Sequence, residues 1–309
     1  MNCIFIYNPV SGQGKVAKKL AMIVDGLKNK YAEVEVYATK AAGDMTRMAR
    51  EAIGKYDAIV FYGGDGSFNE IVQGLAGAET DELPELGYIP GGTVNDIAHT
   101  LKIPKNVKKA LKIIKSGRAE KLDCMKINED RYAMYVVAAG AFTSATYTTP
   151  QKSKNQVGRV AYWFEGIKKN LKFDVFNVEC ANETKHEAEK THSVLISFMN
   201  SRYVAGFALN KKGSMQDGKI EAAIIPQREK PNGFQKIGAF FATAKLFLFG
   251  FKKKKTKRYI GFEGDRFEIE TDENVVWNFD GEKGVEGKIK IEVVPRRIKV
   301  IIPNKLKRV

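Results

Sequence analysis

The sequence predicts an α/β first domain on a parallel, doubly wound sheet, followed by a mainly antiparallel β domain. Apolar runs of strand length alternate with helical stripes from residue 2 to residue 114, and a glycine-bearing turn follows three of the strands. From about Leu122 the texture changes to strand-like runs divided by turn signals. Parallel neighbours need crossover connections, which the alternation supplies, whereas closely spaced runs with turn residues suit antiparallel pairing. At 309 residues the chain also exceeds the usual size of one core, so two domains are expected.

The elements follow in order. Residues 2–7 form a short apolar strand, and 16–27 place Val16, Leu20, Ile23, Val24 and Leu27 on one helical stripe. Strand 34–38, helix 44–53, strand 58–62, helix 68–75, strand 86–89 and helices 94–101 and 107–114 continue the alternation. Beyond a boundary near residue 128, strands are expected within 134–142, 173–180, 192–198, 219–225, 266–270, 275–279 and 289–294, with helices at 159–171 and 234–249. The α/β unit is thus 1–128 and the β-rich unit starts at 129.

An apolar fraction of 44% with 28% charged residues describes a globular chain rather than a disordered or fibrous one. The net charge of +15 predicts an acidic partner: nucleotide, nucleic acid or an anionic membrane. Cys3, Cys124 and Cys180 are odd in number and widely spaced, which fits neither a disulfide framework nor a zinc site. A cytoplasmic location is expected. The opening MNCIFIY lacks the basic flank of a signal peptide, and the longest apolar stretch, 237–251, is short for a membrane span and carries Lys245.

In doubly wound sheets ligands bind beyond the carboxyl ends of the strands, where residues 8–15, 63–66 and 91–93 are expected. NPVSGQGK, residues 8–15, would present backbone N–H groups and a helix dipole to an anion, though a plain strand-to-helix turn fits equally well. It is not a Walker A loop, because Lys15 is followed by Val16. In YGGDGSFNE, residues 62–70, three glycines surround Asp65. Asp65 or Ser67 could simply cap the next helix, but charge near that helix start is worth only about 0.3–1 kcal/mol at an exposed site and hardly demands such glycines. Phosphates lying on the glycine backbone, with magnesium between them and Asp65, account for the acid and the glycines together.

GGTVNDIA, residues 91–98, offers Thr93, Asn95 and Asp96, and alone it reads as well as a helix cap at Thr93. Three such segments at successive strand ends favour one shared nucleotide site. FDGEKG carries Asp280 and Glu282 and MQDGKIE carries Asp217, but Asp-Gly is also a hairpin signal, so turn and site both stay open there. His99, His186 and His192 show no metal-ligand spacing, and Ser11 and Ser67 have no visible triad partners. In 234–258, Phe234, Ile237, Phe241, Ala244 and Leu248 share a helical face before six basic residues in seven, Lys252 to Lys255, Lys257 and Arg258. A core-facing helix with a solvated loop and a membrane-facing element account for it equally.

Together these residues resemble the diacylglycerol kinase catalytic family, in particular its soluble bacterial lipid kinases. The matching signatures are NPVSG at 8–12, GGDGSFNE at 63–70, PGGTVNDIA at 90–98, Asp217-Gly218 and DGE at 280–282, in the family's order across nearly the whole chain. GGDG alone is shared with NAD kinases and phosphofructokinases; the series is specific.

The resemblance implies an N-terminal nucleotide-binding α/β domain and a C-terminal β-rich lipid domain, 129–298, with 299–309 packing back on the first. It implies ATP and Mg2+, and phosphorylation of a lipid hydroxyl, diacylglycerol first. Asn8, Pro9, Val10, Ser11, Gly12, Lys15, Thr39, Gly63, Gly64, Gly66, Ser67, Asn69, Glu70 and Thr93 would surround the nucleotide, with Asn95 and Asp96 supporting the phosphates. Asp65 would organise the catalytic magnesium, helped by Asp123, and Glu282 would act as general base with Asp280 beside it. In some relatives the base role is argued for the GGDG acid instead. A second, structural magnesium would use the carbonyls of Ser214 and Lys219 and the carboxylate of Asp217, although NKKGSMQDG departs from the family pattern just upstream. The partner is then a lipid at an anionic membrane surface, with peripheral attachment, no nucleic acid, and a homodimer left open. The competing readings are another GGDG kinase, such as an NAD kinase, and a basic nucleic-acid-binding protein.

Overall fold

The computed structural model describes residues 1–9, 16–80, 82–141, 174–184, 186–306 and 309. The expected helix 159–171 and the site candidates Val10, Ser11, Gly12 and Lys15 lie outside the described residues.

The first part alternates as expected: β1 (Asn2–Tyr7), α1 (Leu20–Lys28), β2 (Glu33–Ala38), α2 (Asp44–Glu51), β3 (Ala58–Gly63), α3 (Asp65–Leu75), β4 (Glu85–Pro90), α4 (Asp96–Thr100) and α5 (Val107–Ser116). The strands pair in parallel in the order β4-β3-β1-β2. Every residue of β3, AIVFYG, is buried, as a central parallel strand covered on both faces requires. Consequently β1, β3 and β4 end side by side, and the turns after them share one edge of the sheet. The first helix starts later than its apolar stripe suggested, because Ala17–Lys19 form a 3-10 turn.

The rest is mainly antiparallel: β5 (Arg118–Ile127), β6 (Arg131–Ala133), β7 (Val136–Gly140), β8 (Phe176–Asn182), β9 (Glu187–Met199), β10 (Ile220–Gln227), α6 (Gly233–Phe249), β11 (Lys254–Thr256), β12 (Tyr259–Gly264), β13 (Arg266–Thr271), β14 (Val276–Phe279), β15 (Glu282–Glu286) and β16 (Ile289–Ile302). These strands run β11-β12-β10-β9-β8-β13-β16, with β7 joining β9 to β14, β14 pairing β15, and β5 pairing β16 and β6. A core around Phe198, Phe267, Trp277 and Phe279 fills this part.

β16 connects the two parts. Its first half pairs antiparallel with β13, and Val300 then lies parallel to Leu86 of β4. Pro295 and Arg296 (φ +50°) interrupt it, where its pairing with β5 shifts register. Next to that break the Arg297 guanidinium donates to the carbonyls of Ala76, Ala78 and Thr80, which fastens the chain after α3 to β16. Val309 continues the bridge: its carbonyl accepts from Ser214 Oγ at 2.6 Å and from the Met215 N–H at 3.1 Å.

The helix expected at 234–249 is present as α6, opened by an Asn232–Gln235 capping box, but of the apolar stripe only Ala244 faces the core. Phe234, Ile237, Phe241 and Leu248 are exposed, while the helix buries Ala239, Thr243, Ala244 and Leu246. No helix among the described residues is long and apolar enough to cross a membrane. Cys3, Cys124 and Cys180 are buried free thiols.

Candidate active site

The glycines of the two central turns are explained by backbone against backbone. The Gly91 N–H donates to the Gly63 carbonyl at 2.7 Å. A Cβ on Gly92 would stand 2.5 Å from Gly64 Cα, and one on Gly91 would enter the Tyr62 ring at 2.4 Å. The GGDG and GGT turns therefore touch through their main chains. Asn95 locks the second turn: it adopts φ +58°, its Oδ1 accepts from the Gly92 N–H at 2.9 Å and from the Tyr88 hydroxyl at 3.2 Å, and its Nδ2 donates to the Gly92 carbonyl at 2.8 Å.

This turn aims the first amides of α4 at Asp65, the first residue of α3. The Ile97 N–H donates to Asp65 Oδ1 at 3.3 Å, and the Asp96 and Asn95 amides also stabilise that half-buried carboxylate. Burial nevertheless prevails and moves its pKa above the usual carboxylate value. Asp96 itself is buried and points elsewhere, accepting from the Gly206 N–H at 2.8 Å.

Across the turn stands the β14–β15 hairpin. Glu282, exposed at the start of β15, brings Oε1 to 3.1 Å from where a Cβ on Gly66 would be. A Cβ at that helix position would press the carboxylate aside by a few tenths of an ångström. Asp280, two residues earlier, has φ +52° and is buried. Its Oδ2 accepts from Asn69 Nδ2 at 2.9 Å and the Met134 N–H at 2.5 Å; its Oδ1 accepts from the N–H groups of Tyr135 at 2.9 Å and Val136 at 3.0 Å. Burial raises its pKa to about 6, against the four donors that pull it down. The carboxylate is thus used up in tying the hairpin to α3 and to β7, and that tie holds Glu282 over Gly66.

The remaining candidates divide between two places. Asn8, Pro9 and Thr39 lie at the carboxyl ends of β1 and β2, with the Thr39 N–H on the Tyr7 carbonyl at 2.9 Å. Glu70 accepts from the Gly43 N–H at 3.1 Å at the start of α2, and burial moves its pKa up. Ser67 folds back over Gly63, and Thr93 is exposed with its carbonyl accepting from Lys105 Nζ at 2.7 Å. Asp123, by contrast, sits with the 214–219 loop: Oδ2 accepts from the Gly218 N–H and Oδ1 from the Arg296 N–H, both at 2.8 Å. The exposed Asp217 lies beside it and takes the Lys219 N–H at 3.3 Å.

Among the described residues no three His, Cys, Asp or Glu side chains cluster as a metal cage. Magnesium does not need one, since it takes one or two carboxylates and completes its shell with water and phosphate oxygens; Asp65 beside a glycine turn fits that donor set. The second group gathers acids held above their usual range: burial, with Asp217 adding to it, raises the pKa of Asp123, and burial with Asp217 raises that of Glu221 to about 7.

The sequence motifs missed the donors that position these acids, because most are backbone amides, at Gly43, Met134 to Val136 and Gly206. Tyr88 carried a weak signal, a hydroxyl in an otherwise apolar strand.

Residues 2–127 match the family model described as the diacylglycerol kinase catalytic domain. A diacylglycerol kinase of Bacillus subtilis (strain 168) is 32% identical over 304 residues, covering 97% of this chain and 95% of that protein. The chain belongs to the diacylglycerol kinase family. It is a lipid kinase that uses ATP. A diacylglycerol kinase of Staphylococcus aureus (strain bovine RF122 / ET3-1) is 40% identical over 163 residues, 52% of this chain and 51% of that one. The crystal structure of a diacylglycerol kinase from Bacillus anthracis str. Sterne shares the kinase's fold at a TM-score of 0.75 and 23% identity, covering 97% of this chain and 96% of the other.

Proposed function

We propose that this kinase transfers the γ-phosphoryl group of ATP to the free hydroxyl of diacylglycerol, giving phosphatidic acid, at an anionic membrane surface. The observation that carries the reading is Glu282 held over Gly66, so that a carboxylate from the β-rich part stands beside the residue that follows Asp65 in the GGDG turn. ATP would lie along the carboxyl ends of β1 to β4, among Asn8, Pro9, Thr39, the two glycine turns and Thr93. The units are 1–128, with 299–309 added, on the nucleotide side and 129–298 on the lipid side.

The acceptor oxygen forms a bond to the γ-phosphorus as the bond to the bridging oxygen of ADP breaks, and the hydroxyl proton passes to Glu282. Asp65 would hold magnesium, which when bound neutralises charge on the phosphates. Asn95, Asp96, Asn69 and Asp280, each engaged by protein groups, position these two acids. Asp123, Asp217 and the carbonyls of Ser214 and Lys219 would hold a second, structural ion.

Phosphate transfer from labelled ATP to short-chain diacylglycerol dispersed in detergent tests the assignment. Asp65→Ala and Glu282→Ala should each lower kcat by about 10²–10⁴-fold, with circular dichroism unchanged. Rates within tenfold of wild type in both variants would remove it.

A further inference from the structure

Eight large apolar side chains are exposed among the described residues, and five of them, Phe234, Ile237, Phe241, Leu248 and Phe249, lie on α6. A contiguous apolar face of this kind on a soluble-sized fold marks a surface that meets something apolar. The face borders a groove of about 290 Å³ between α6 and the β11–β12 hairpin. Its walls combine Phe241 and Phe249 with Lys245, Lys252, Lys254 and Arg258. Arg258 lies along α6 beside Gly238, where an added Cβ would be in ordinary contact, 3.6 Å from the guanidinium carbon.

The charges here differ from those elsewhere on the hairpin. Lys253 pairs with Glu263 at 2.8 Å and Lys255 with Glu189 at 2.7 Å. Among the described residues no acid pairs with Lys245, Lys252, Lys254 or Arg258, and the groove walls include no Asp or Glu. The division alternates along the chain entering β11: Lys253 and Lys255 turn to acids while Lys252 and Lys254 turn to the groove.

We propose that the α6 face and this groove form the docking surface for an anionic phospholipid bilayer, the phenyl rings entering the acyl boundary while the groove takes a phosphate headgroup. This deepens the lipid-kinase reading and rests on it. Charge complementarity selects the occupant: an anionic headgroup matches four cations beside an apolar face. A second copy docked by twofold symmetry would set the same cations against one another. The surface is also placed to serve the active site. Phe247 of α6 packs edge-on against Phe207 at 5.4 Å, and the neighbouring Gly206 N–H holds Asp96.

The test uses the full chain and sedimentation with phosphatidylcholine vesicles, with and without about 30 mol% phosphatidylglycerol to give the surface a negative potential, and free of diacylglycerol. Binding should require the anionic lipid and weaken with salt. Lys252→Ala with Lys254→Ala should weaken it about 30-fold, which is about 2 kcal/mol at about 1 kcal/mol per basic residue. Phe241→Ser with Phe249→Ser should weaken it at least about 10-fold at every salt concentration. Both double variants should phosphorylate dispersed short-chain diacylglycerol at the wild-type rate, which shows that they are folded. Wild-type binding in either double variant overturns the proposal, as does a wild-type protein that ignores the vesicles. Equal loss of binding to a single-stranded oligonucleotide, with vesicles unbound, would assign the surface to nucleic acid instead. None of these outcomes touches the kinase reading, which fails only if dispersed substrate is not phosphorylated.

Discussion

Gly92→Ala tests whether the two glycine turns act as one rigid body. The added Cβ would meet Gly64 Cα at 2.5 Å and Asn95 Oδ1 at 2.7 Å. Carbon atoms in contact stand about 3.6 Å apart, so the turns must separate by about 1 Å. Neither obstacle can swing away: one is main chain, and the other is held by the Gly92 N–H and the Tyr88 hydroxyl. Asp65 directly follows Gly64 and takes its amide donors from α4, so separation pulls the carboxylate from its setting. A misplacement of about 1 Å costs about 100-fold in rate, and overpacking costs about 1–3 kcal/mol of stability. The assay is kcat on dispersed short-chain diacylglycerol at saturating ATP, alongside denaturant unfolding. A variant that loses the stability but stays within threefold of the wild-type rate would refute the dependence of Asp65 on this contact.

Gly66→Ala is the milder counterpart, because its Cβ would stand 3.1 Å from Glu282 Oε1, an exposed side chain that yields by a few tenths of an ångström. It should lower kcat about 3- to 10-fold with unfolding unchanged, and an unaltered kcat would deny Glu282 its role there. In Asp280→Asn one amide oxygen can keep the Tyr135 and Val136 N–H groups, while its NH₂ meets two donors, Met134 N–H and Asn69 Nδ2. Denaturant unfolding should show a loss of roughly 2–4 kcal/mol. The pH dependence has a definite sign. The folded pKa of Asp280, about 6, exceeds its ordinary 3.8, so its proton stabilises the fold fully below pH 3.8 and that contribution is lost as pH rises through 6. Between pH 7 and pH 5 the wild type should gain about 1.4 kcal/mol over Asp280→Asn, and a gap that stays constant would contradict it.

The alternation of strands and helices was legible because parallel strands covered on both faces must be continuously apolar, as AIVFYG in β3 is. β11 and β15 left no such trace, since KKT is wholly exposed and EKGVE nearly so, and pairing rather than burial makes them strands. The motif acids were legible as residue types. Their division of labour was not: Asp280 and Glu282 stand two residues apart, yet left-handed backbone at Asp280 and Gly281 buries one carboxylate and exposes the other. The helical stripe of α6 was legible as amphipathic, but periodicity gives a face without saying which way it points. Here the small residues Ala239, Thr243 and Ala244 pack inward because β10 lies close beneath the helix.

The meeting of β16 with β4 also sets a timetable for synthesis. Leu86 receives its neighbour from Val300, 214 positions later. At about 5–20 residues per second a ribosome needs about 10–40 s to span that gap. Throughout that interval the nascent first sheet carries an open β4 edge, the kind of template on which unfinished chains pair with one another. The early-made sheet therefore depends on a strand made much later for protection, and slow translation between these two strands should show as aggregation before it shows as lost activity.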